Sequence, residues 1–477
     1  MTFSNMKVSM TYTVSLVLLP TMLFAFFLPA CTPKQPLKAK EELETIAREF
    51  VFALAEGRYD EARKEFDRKM SQAAPASKLE ELWAAVTSQA GNWQKVAGTR
   101  FAEEAGYRVV FVTGLFEKGS LEIKVVFNTQ GKISGMWLGD LVSNEYKAPG
   151  YADLDSFTET QVVVGEGKWA LPGTLAMPGY TGSGAPVPAV VLVHGSGPND
   201  RDETIGPNKP FKDLAWGLAS KGIAVLRYEK RTKEHAAEFG PDTTEAKNVT
   251  VKEETIDDAV LAVKLLKAKE GIDPDRVFVV GHSLGATMGP RIAVACGAVT
   301  DTGAEGNRVS GSDGASIAGL VMMAATSRNL VDLIPEQIEY LAGLDGHVDD
   351  AESAQIQEVK AAVERIKSGK IAEGEMVLGA PKSYWDDLAS HNQVEIGKRL
   401  TLPILVLQGE RDYQVTMTDL QEWKAALSGK PNVVIKTYPD LNHLFMSGSG
   451  KITPDEYSVP SNVSEEVVND IAEWIKH

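Results

Sequence analysis

The chain has 477 residues, 43% hydrophobic and 24% charged, a globular composition that excludes wholesale disorder, a collagen repeat and a coiled coil. Its 65 acidic against 49 basic side chains give a net charge of −16, which argues against a nucleic-acid partner, because phosphate-backbone binding rests on cationic contacts. Two cysteines, Cys31 and Cys296, exclude a disulfide framework and a cysteine-rich zinc site.

The N-terminus carries the first recognisable element. Lys7 is followed by 26 uncharged residues before Lys34, and Val14–Ala30 is almost wholly apolar, interrupted at Pro20 and Thr21. A positive residue, a short apolar core and a small residue before a cleavage point form the secretory-signal pattern. Leu28-Pro29-Ala30-Cys31 resembles a bacterial lipobox, which implies a signal peptide over 1–30, cleavage before Cys31 and a lipid on its thiol. The expectation is an exported lipoprotein, held at a membrane of the cell envelope through Cys31. An uncleaved anchor is the alternative, since the run is just long enough to cross a hydrocarbon core of ~30 Å. Residues 31–40, with two prolines and three lysines, read as a tether.

A small α+β domain is expected over 41–147. Leu43, Ile46, Ala47, Phe50, Val51 and Leu54 recur at helical spacing and make one apolar face. A second helix is expected from about Tyr59 to Met70 and a third around Leu79–Val86. The period then changes to two: Tyr107–Thr113, Leu121–Phe127 and Ile133–Leu138 read as strands, with Asn128–Gly131 turning between the last two. No catalytic constellation falls in this stretch.

From 155 to 477 the pattern becomes an α/β alternation. Gln161–Gly165 and Trp169–Pro178 read as an opening hairpin, and Thr181–Pro186 as a surface loop. Val190–Val193, Ile223–Tyr228, Val277–Val280, Leu402–Leu407 and Val433–Tyr438 are apolar strands, and runs apolar on both faces indicate a parallel sheet covered by helices. Helices are expected over Lys212–Lys221, over Thr255–Glu270 with a capping signal at Thr255 and Asp258, and over Val467–Ile475. Pro290 is expected to kink the helix after Val280. Thr300–Ala315, rich in Gly, Ser, Asp and Thr, reads as a flexible excursion. Residues 327–400 are mostly helical in pattern and read as a cap inserted over the sheet.

The chemistry concentrates at strand ends. Val277–Val280 runs into Gly281-His282-Ser283-Leu284-Gly285, and Gly-x-Ser-x-Gly between an apolar strand and a helix is the strained turn that presents a nucleophilic serine. A serine hydroxyl needs a general base, and histidine has the suitable pKa. The order serine, acid, histidine that such a fold requires leaves His347, His391, His443 and His477 of the seven histidines; only His443 lies in a loop after a late strand. Asp412, in the loop after Pro403–Gly409, stands where the carboxylate that orients the base belongs. Glu410 is the runner-up, and Asp419 falls on the next helix. Val190–Val193 leads into His194-Gly195-Ser196-Gly197, whose backbone N–H groups, with that of Leu284, suit an oxyanion hole. Ser196 is the assigned donor, with Gly195 and Gly197 left open. No second histidine stands at ligand spacing from His194, so neither metal nor cofactor is expected.

The segments 194–203, Leu226–Thr232, Gly281–Gly285 and Gln408–Val415 together resemble a bacterial α/β-hydrolase family of esterase-like enzymes, close to serine aminopeptidases and prolyl-oligopeptidase-type hydrolases. The resemblance spans about 155–477. It implies an α/β-hydrolase fold, the triad Ser283, Asp412 and His443, and hydrolysis of short-chain acyl esters. Peptidase and thioesterase activity use the same acyl chemistry, and a binding protein without turnover is the rival of another class. The first domain resembles the small domain of unknown function often found ahead of hydrolase domains in exported bacterial proteins.

Overall fold

The computed structural model describes residues 38–477 apart from 105, 144, 180–184, 241, 299–314 and 345. The expected signal peptide, Cys31, most of the tether and nearly all of the 300–315 excursion lie outside the described residues. Among the described residues no helix is long and apolar enough to cross a membrane.

The small domain packs helices on one face of an antiparallel sheet. Helix α1 (Lys40–Ala55) buries Leu43, Ala47, Phe50, Val51 and Leu54, the face its spacing specifies. The expected helix from Tyr59 to Met70 is broken into α2 (Tyr59–Ala62), a 3-10 turn (Arg63–Glu65) and α3 (Arg68–Ala73), because the Asp67 side chain accepts the Met70 N–H and starts a new helix. Helix α4 (Ala76–Ala90) follows. The sheet order is β1 (Trp93–Glu104), β2 (Tyr107–Phe116), β3 (Gly119–Phe127), β4 (Ile133–Ser143). Strand β1 was not expected. It is an edge strand with register shifts at Trp93/Lys95 and Val96/Gly98, so its side chains do not alternate cleanly.

The second domain is built on an eight-stranded sheet. The hairpin β5 (Phe157–Val164) and β6 (Leu171–Pro178) is antiparallel and joins the edge. The sheet continues with β7 (Val187–Val193), α5 (Pro210–Ala219), β8 (Ala224–Tyr228), α6 (Arg231–Glu234), α7 (Thr244–Asn248), α8 (Asp258–Lys267) and β9 (Ile272–His282). After β9 come α9 (Leu284–Thr287), α10 (Gly289–Ala295) and β10 (Gly319–Met323). The chain then leaves the sheet as α11 (Leu330–Ala342), α12 (Asp350–Lys367), a ribbon of β11 (Met376–Val377) and β12 (Ala380–Pro381), α13 (Lys382–Ala389) and α14 (Gln393–Arg399). It returns as β13 (Ile404–Gly409), α15 (Met417–Leu427), β14 (Val433–Tyr438) and α16 (Glu465–Lys476). The strand order is β14-β13-β10-β9-β7-β8-β6-β5, parallel from β14 to β8.

Burial on both faces explains the continuous apolar strands. Val191, Val279, Leu320 and Val406 face one core with α8, α9, α10 and α15, and Val190, Val280, Val321 and Leu405 face the other with α5 and α16. Each fully buried side chain of this kind contributes about 1.5–3 kcal/mol. Strand order reverses beside β7, whose neighbours are β8 and β9, and a crevice at such a reversal is where open α/β sheets place their ligands.

Two local expectations are corrected. The helix before β9 does not start at Thr255. Thr255 lies inside a π-helical turn (Lys252–Asp257) that precedes α8, and just before that turn the Thr250 N–H donates to Glu253 Oε2 at 3.1 Å. Pro290 does not kink a helix interior: the helix breaks at Met288 and Pro290 sits in the first turn of α10, where its missing N–H costs nothing.

The 324–403 excursion is pinned to the core by polar contacts, Arg291 to Asp387 at 2.8 Å and the Tyr384 hydroxyl to Glu254 at 2.8 Å. The loop 446–463 gathers contacts from all sides. Tyr340 donates to Ile452 O, Lys451 to Gly343 O, Asn208 to Tyr457 O and Arg411 to Glu456. Lys95 of the small domain meets Asp455 at 2.6 Å.

Candidate active site

Ser283 stands at the C-terminal end of β9 with φ 52° and ψ −115°, a left-handed backbone that costs a non-glycine residue about 1–3 kcal/mol. The surroundings hold it there. Its N–H donates to Met323 O at 2.9 Å, and its C=O accepts from Thr287 N at 2.9 Å. The flanking glycines are demanded by space. A Cβ on Gly281 would run into the Gly285 carbonyl and the Ala286 N, and a Cβ on Gly285 into the Val193 and His194 carbonyls. The turn thus packs directly on the end of β7. Leu284 is the first residue of α9, so the helix ladder makes no use of its N–H.

Asp412 and His443 meet across two loops at the ends of β13 and β14. His443 Nδ1 lies 2.7 Å from Asp412 Oδ2, with both side chains at most 5% exposed. Asp412 Oδ1 accepts the N–H groups of Gln414 (2.8 Å) and Val415 (3.0 Å), and Oδ2 also accepts from Gln408 Nε2 at 3.2 Å. These bonds fix the carboxylate without help from a cation. The His443 loop is tied by Asn442, whose Oδ1 accepts from Leu444 and Met446, and by the Arg411 N–H donating to Leu441 O.

The two halves are joined through His282. Its ring centroid is 4.8 Å from that of His443, and its Nε2 lies 2.9 Å from His443 O. Its Nδ1 lies 3.0 Å from Glu203 Oε2. Both are buried. Burial works against charge on His282, but the Glu203 carboxylate outweighs it and raises the imidazole above its usual range. Burial likewise works to raise Glu203, and His282, His194 and the Gly195 N–H together hold it below the usual carboxylate range.

This buried pair also governs the loop after β7. The Gly195 N–H donates to Glu203 Oε1 at 2.7 Å, so it is committed and is not available as an oxyanion donor. The Gly195 C=O accepts from Lys230 Nζ at 2.7 Å and from Asn199 Nδ2 at 3.2 Å. Lys230 is 2% exposed and is paired with Glu254 at 3.3 Å. A trans peptide points its C=O and the following N–H in opposite directions, so Lys230 fixes the Ser196 N–H to face away from itself. A Cβ on Gly195 would lie 3.2 Å from Ser283 Cβ and 3.7 Å from Oγ, which places this loop beside the serine.

Other candidates lie elsewhere. Glu410 is exposed. Asp419 is fully buried and bound to Arg328, Thr326 and Ser327. His347 is on the loop between α11 and α12, His391 between α13 and α14, and His477 at the chain end. His194 packs against Phe211 and Tyr228, and burial lowers its imidazole to about 4. Among the described residues no group of three His, Cys, Asp or Glu side chains is placed to hold a metal ion. Cys296 is buried, which pushes its thiol up to about 12. Glu203, Lys230 and His282 receive no role from the sequence, although they lie within 194–203, Leu226–Thr232 and Gly281–Gly285. The available signal was three ionisable residues inside segments that sit at strand ends.

Comparisons place this architecture. Residues 190–455 match the family described as Alpha/beta hydrolase family, and the chain belongs to it. Residues 47–136 match a family described as Protein of unknown function (DUF3887). The chain is 38% identical over 426 residues to Esterase EstD of Thermotoga maritima, covering 89% of this chain and 93% of that protein. Among solved structures, a hyperthermophilic esterase from Pyrobaculum calidifontis aligns at 16% identity and TM-score 0.40, over 67% of this chain and 85% of its own. The acylaminoacyl peptidase of Pyrococcus horikoshii aligns at 15% identity and TM-score 0.40, over 81% and 56%.

Proposed function

We propose that the protein is a serine carboxylesterase acting on small-molecule esters with short acyl chains, through Ser283, His443 and Asp412. One observation carries the roles: the buried His443 Nδ1–Asp412 Oδ2 contact of 2.7 Å, with the His443 ring packed 4.8 Å from that of His282, the residue before Ser283 in its strained turn. The esterase relative supports the reaction class. Ser283 Oγ attacks the ester carbonyl while His443 Nε2 takes its proton. Asp412 holds the tautomer with hydrogen on Nδ1 and stabilises the imidazolium. The N–H groups of Leu284 and Ser196 receive the oxyanion. Collapse expels the alcohol, protonated by His443, and leaves an acyl group on Ser283. Water, deprotonated by His443, then releases the carboxylic acid and restores the serine.

The test is hydrolysis of p-nitrophenyl acetate and butyrate by wild type and Ser283→Ala, with labelling by a serine-directed fluorophosphonate. Turnover and labelling are expected only with Ser283 present. Equal turnover by the two proteins overturns the assignment.

The second part of the proposal concerns location. Lys7, the apolar run and Leu28–Cys31 support export and a lipid anchor on Cys31. Mass spectrometry of the mature N-terminus is expected to show a chain starting at lipidated Cys31. A chain starting at Met1 without lipid overturns it.

A further inference from the structure

Two buried polar atoms beside the nucleophile face each other and nothing else. His282 Nδ1 and Glu203 Oε2 lie 3.0 Å apart, and neither has another hydrogen-bond partner among the described residues. With hydrogen on neither atom, two buried lone pairs would oppose each other, which is costly in a protein interior. A hydrogen therefore lies between them. The other ring nitrogen, Nε2, is 2.9 Å from the His443 carbonyl oxygen, which can only accept, so Nε2 donates. Glu203 Oε1 accepts the Gly195 N–H at 2.7 Å. The Gly195 N–H, Glu203, His282 and the His443 C=O thus form one unbroken chain. It runs from the loop that holds Ser196, through the nucleophile turn, to the loop that holds the base.

The groups facing the shared hydrogen place it on the nitrogen. Asp412, from the loop after β13, and the His443 carbonyl both favour a cation on His282. The Gly195 N–H favours an anion on Glu203. The backbone is strained at both ends of the chain. Glu203 has φ 52°, and Phe445, two residues after His443, has φ 58°. Such a backbone is unfavourable for a non-glycine residue and persists where the surroundings over-determine it. Around Glu203 they do: its N–H donates to Asp200 O at 2.9 Å, and the Asp200 carboxylate accepts from Asp202 N at 3.1 Å and Thr204 N at 2.9 Å. This turn aims the Glu203 carboxylate inward, under Gly195 and against His282.

We propose that Glu203 and His282 are positioning residues for ester hydrolysis: His282 carries a hydrogen on both ring nitrogens, and the pair sets the oxyanion loop and the His443 loop in register as a single bridge. Both act through other residues. The inference rests on the esterase reading of Ser283 and adds how its base and its oxyanion donor are held together. A single bridge has a kinetic signature. A break at either residue releases both loops, so a second break adds little. Two independent braces would instead lose activity separately, and their losses would multiply.

The test is a double-mutant cycle on the full chain with p-nitrophenyl butyrate. Glu203→Met and His282→Phe keep most of the volume and remove the bonds. Each is expected to lower kcat by about 100-fold, the effect of misplaced catalytic groups, with KM changed by less than about threefold. The double variant is expected within about threefold of the less active single variant. Glu203→Gln still accepts the Gly195 N–H and presents an N–H to Nδ1, so it is expected to keep at least about tenfold more kcat than Glu203→Met. Exhaustive fluorophosphonate labelling normalises each protein to its folded fraction. Losses that multiply overturn the proposal, as do single variants within twofold of wild type or an equal loss in Glu203→Gln and Glu203→Met. Nitrogen NMR of isotope-labelled histidine at pH 7.5, about one unit above the ordinary imidazole value, reads the hydrogens directly. A histidine with hydrogen on both nitrogens is expected in wild type and absent from His282→Phe; a singly protonated His282 overturns the proposal. Failure of the esterase reading shows separately, as turnover surviving in Ser283→Ala, and leaves the histidine signal in place.

Discussion

Replacing Lys230 by Met tests the claim that a buried ammonium sets the oxyanion donor. The side chain is 2% exposed and holds the Gly195 carbonyl at 2.7 Å, while Asn199 adds a longer bond at 3.2 Å. Methionine fills similar space but leaves the carbonyl on the weaker contact. If the Gly195–Ser196 peptide then turns, one oxyanion donor is lost, which is worth about 10²–10³ in kcat. Partial retention by Asn199 lowers the expected loss to about 10–100-fold, with a smaller change in KM. Stability also suffers, because Glu254 is buried beside the removed charge. Breaking such a pair costs about 3–5 kcal/mol, reduced here because Glu254 keeps the Tyr384 and Thr232 hydroxyls. The double variant Lys230→Met with Glu254→Gln removes both charges. It is expected to recover much of the urea midpoint and none of the kcat. Steady-state kinetics and urea melts on the three proteins decide the matter. A single variant with kcat within twofold of wild type, or a double variant that regains both properties together, would refute the reasoning.

Four further outcomes follow from geometry already described. Asp412→Asn is expected to fold and to lose kcat by up to about 10⁴, since the amide no longer fixes the His443 tautomer; titration with p-nitrophenyl butyrate reads it. Gly285→Ala drives a Cβ into the backbone carbonyls of Val193 and His194 and is expected to lower thermal stability by at least about 1–3 kcal/mol with loss of turnover. Asp213, fully buried and accepting from Tyr146, Asn462 and Val463, is raised to about 6 by burial. Between pH 4 and 6 the unfolded chain ionises this group before the folded one does, so its contribution is full at acid pH and erodes as pH rises, by roughly 3 kcal/mol; the stability difference between wild type and Asp213→Asn from pH 3.5 to 7.5 measures it. His194 runs the other way. Its folded value near 4 lies below the unfolded 6.5, so its contribution is complete above pH 6.5 and is lost as pH falls towards 4, by about 3 kcal/mol, whereas His194→Gln lacks this dependence.

The parts of the site legible in the sequence are those that depend on local chain. Gly281–Gly285 directly after an apolar run, Asp412 after Pro403–Gly409 and His443 after Val433–Tyr438 each carry their own strand as context. What could not be read there depends on distant partners. Glu203, Lys230 and Arg227 look like ordinary surface charges in their segments, and only the folded sheet brings them against His282, the Gly195 carbonyl and Asp202. Strand β1 is not legible because register shifts at the sheet edge erase its alternation, and the chain before α8 is not legible because the π-helical turn Lys252–Asp257 departs from the 3.6-residue period. Burial of both sheet faces made the central strands the easiest elements to place.

The loop 446–463 has a consequence for the order in which the molecule becomes competent. Its anchors come from Lys95, Asn208, Tyr340 and Arg411, the first of them 360 positions from its partner Asp455. Contacts so distant in sequence form late, after the segments they join are themselves in place. Ser283 is synthesised and can be held in its turn by β7 and β10 while His443 and this loop are still to come. On the proposed triad, a nascent chain carries the nucleophile before its base, so no hydrolysis is expected until the C-terminal segment has been made and its loop has docked on these anchors.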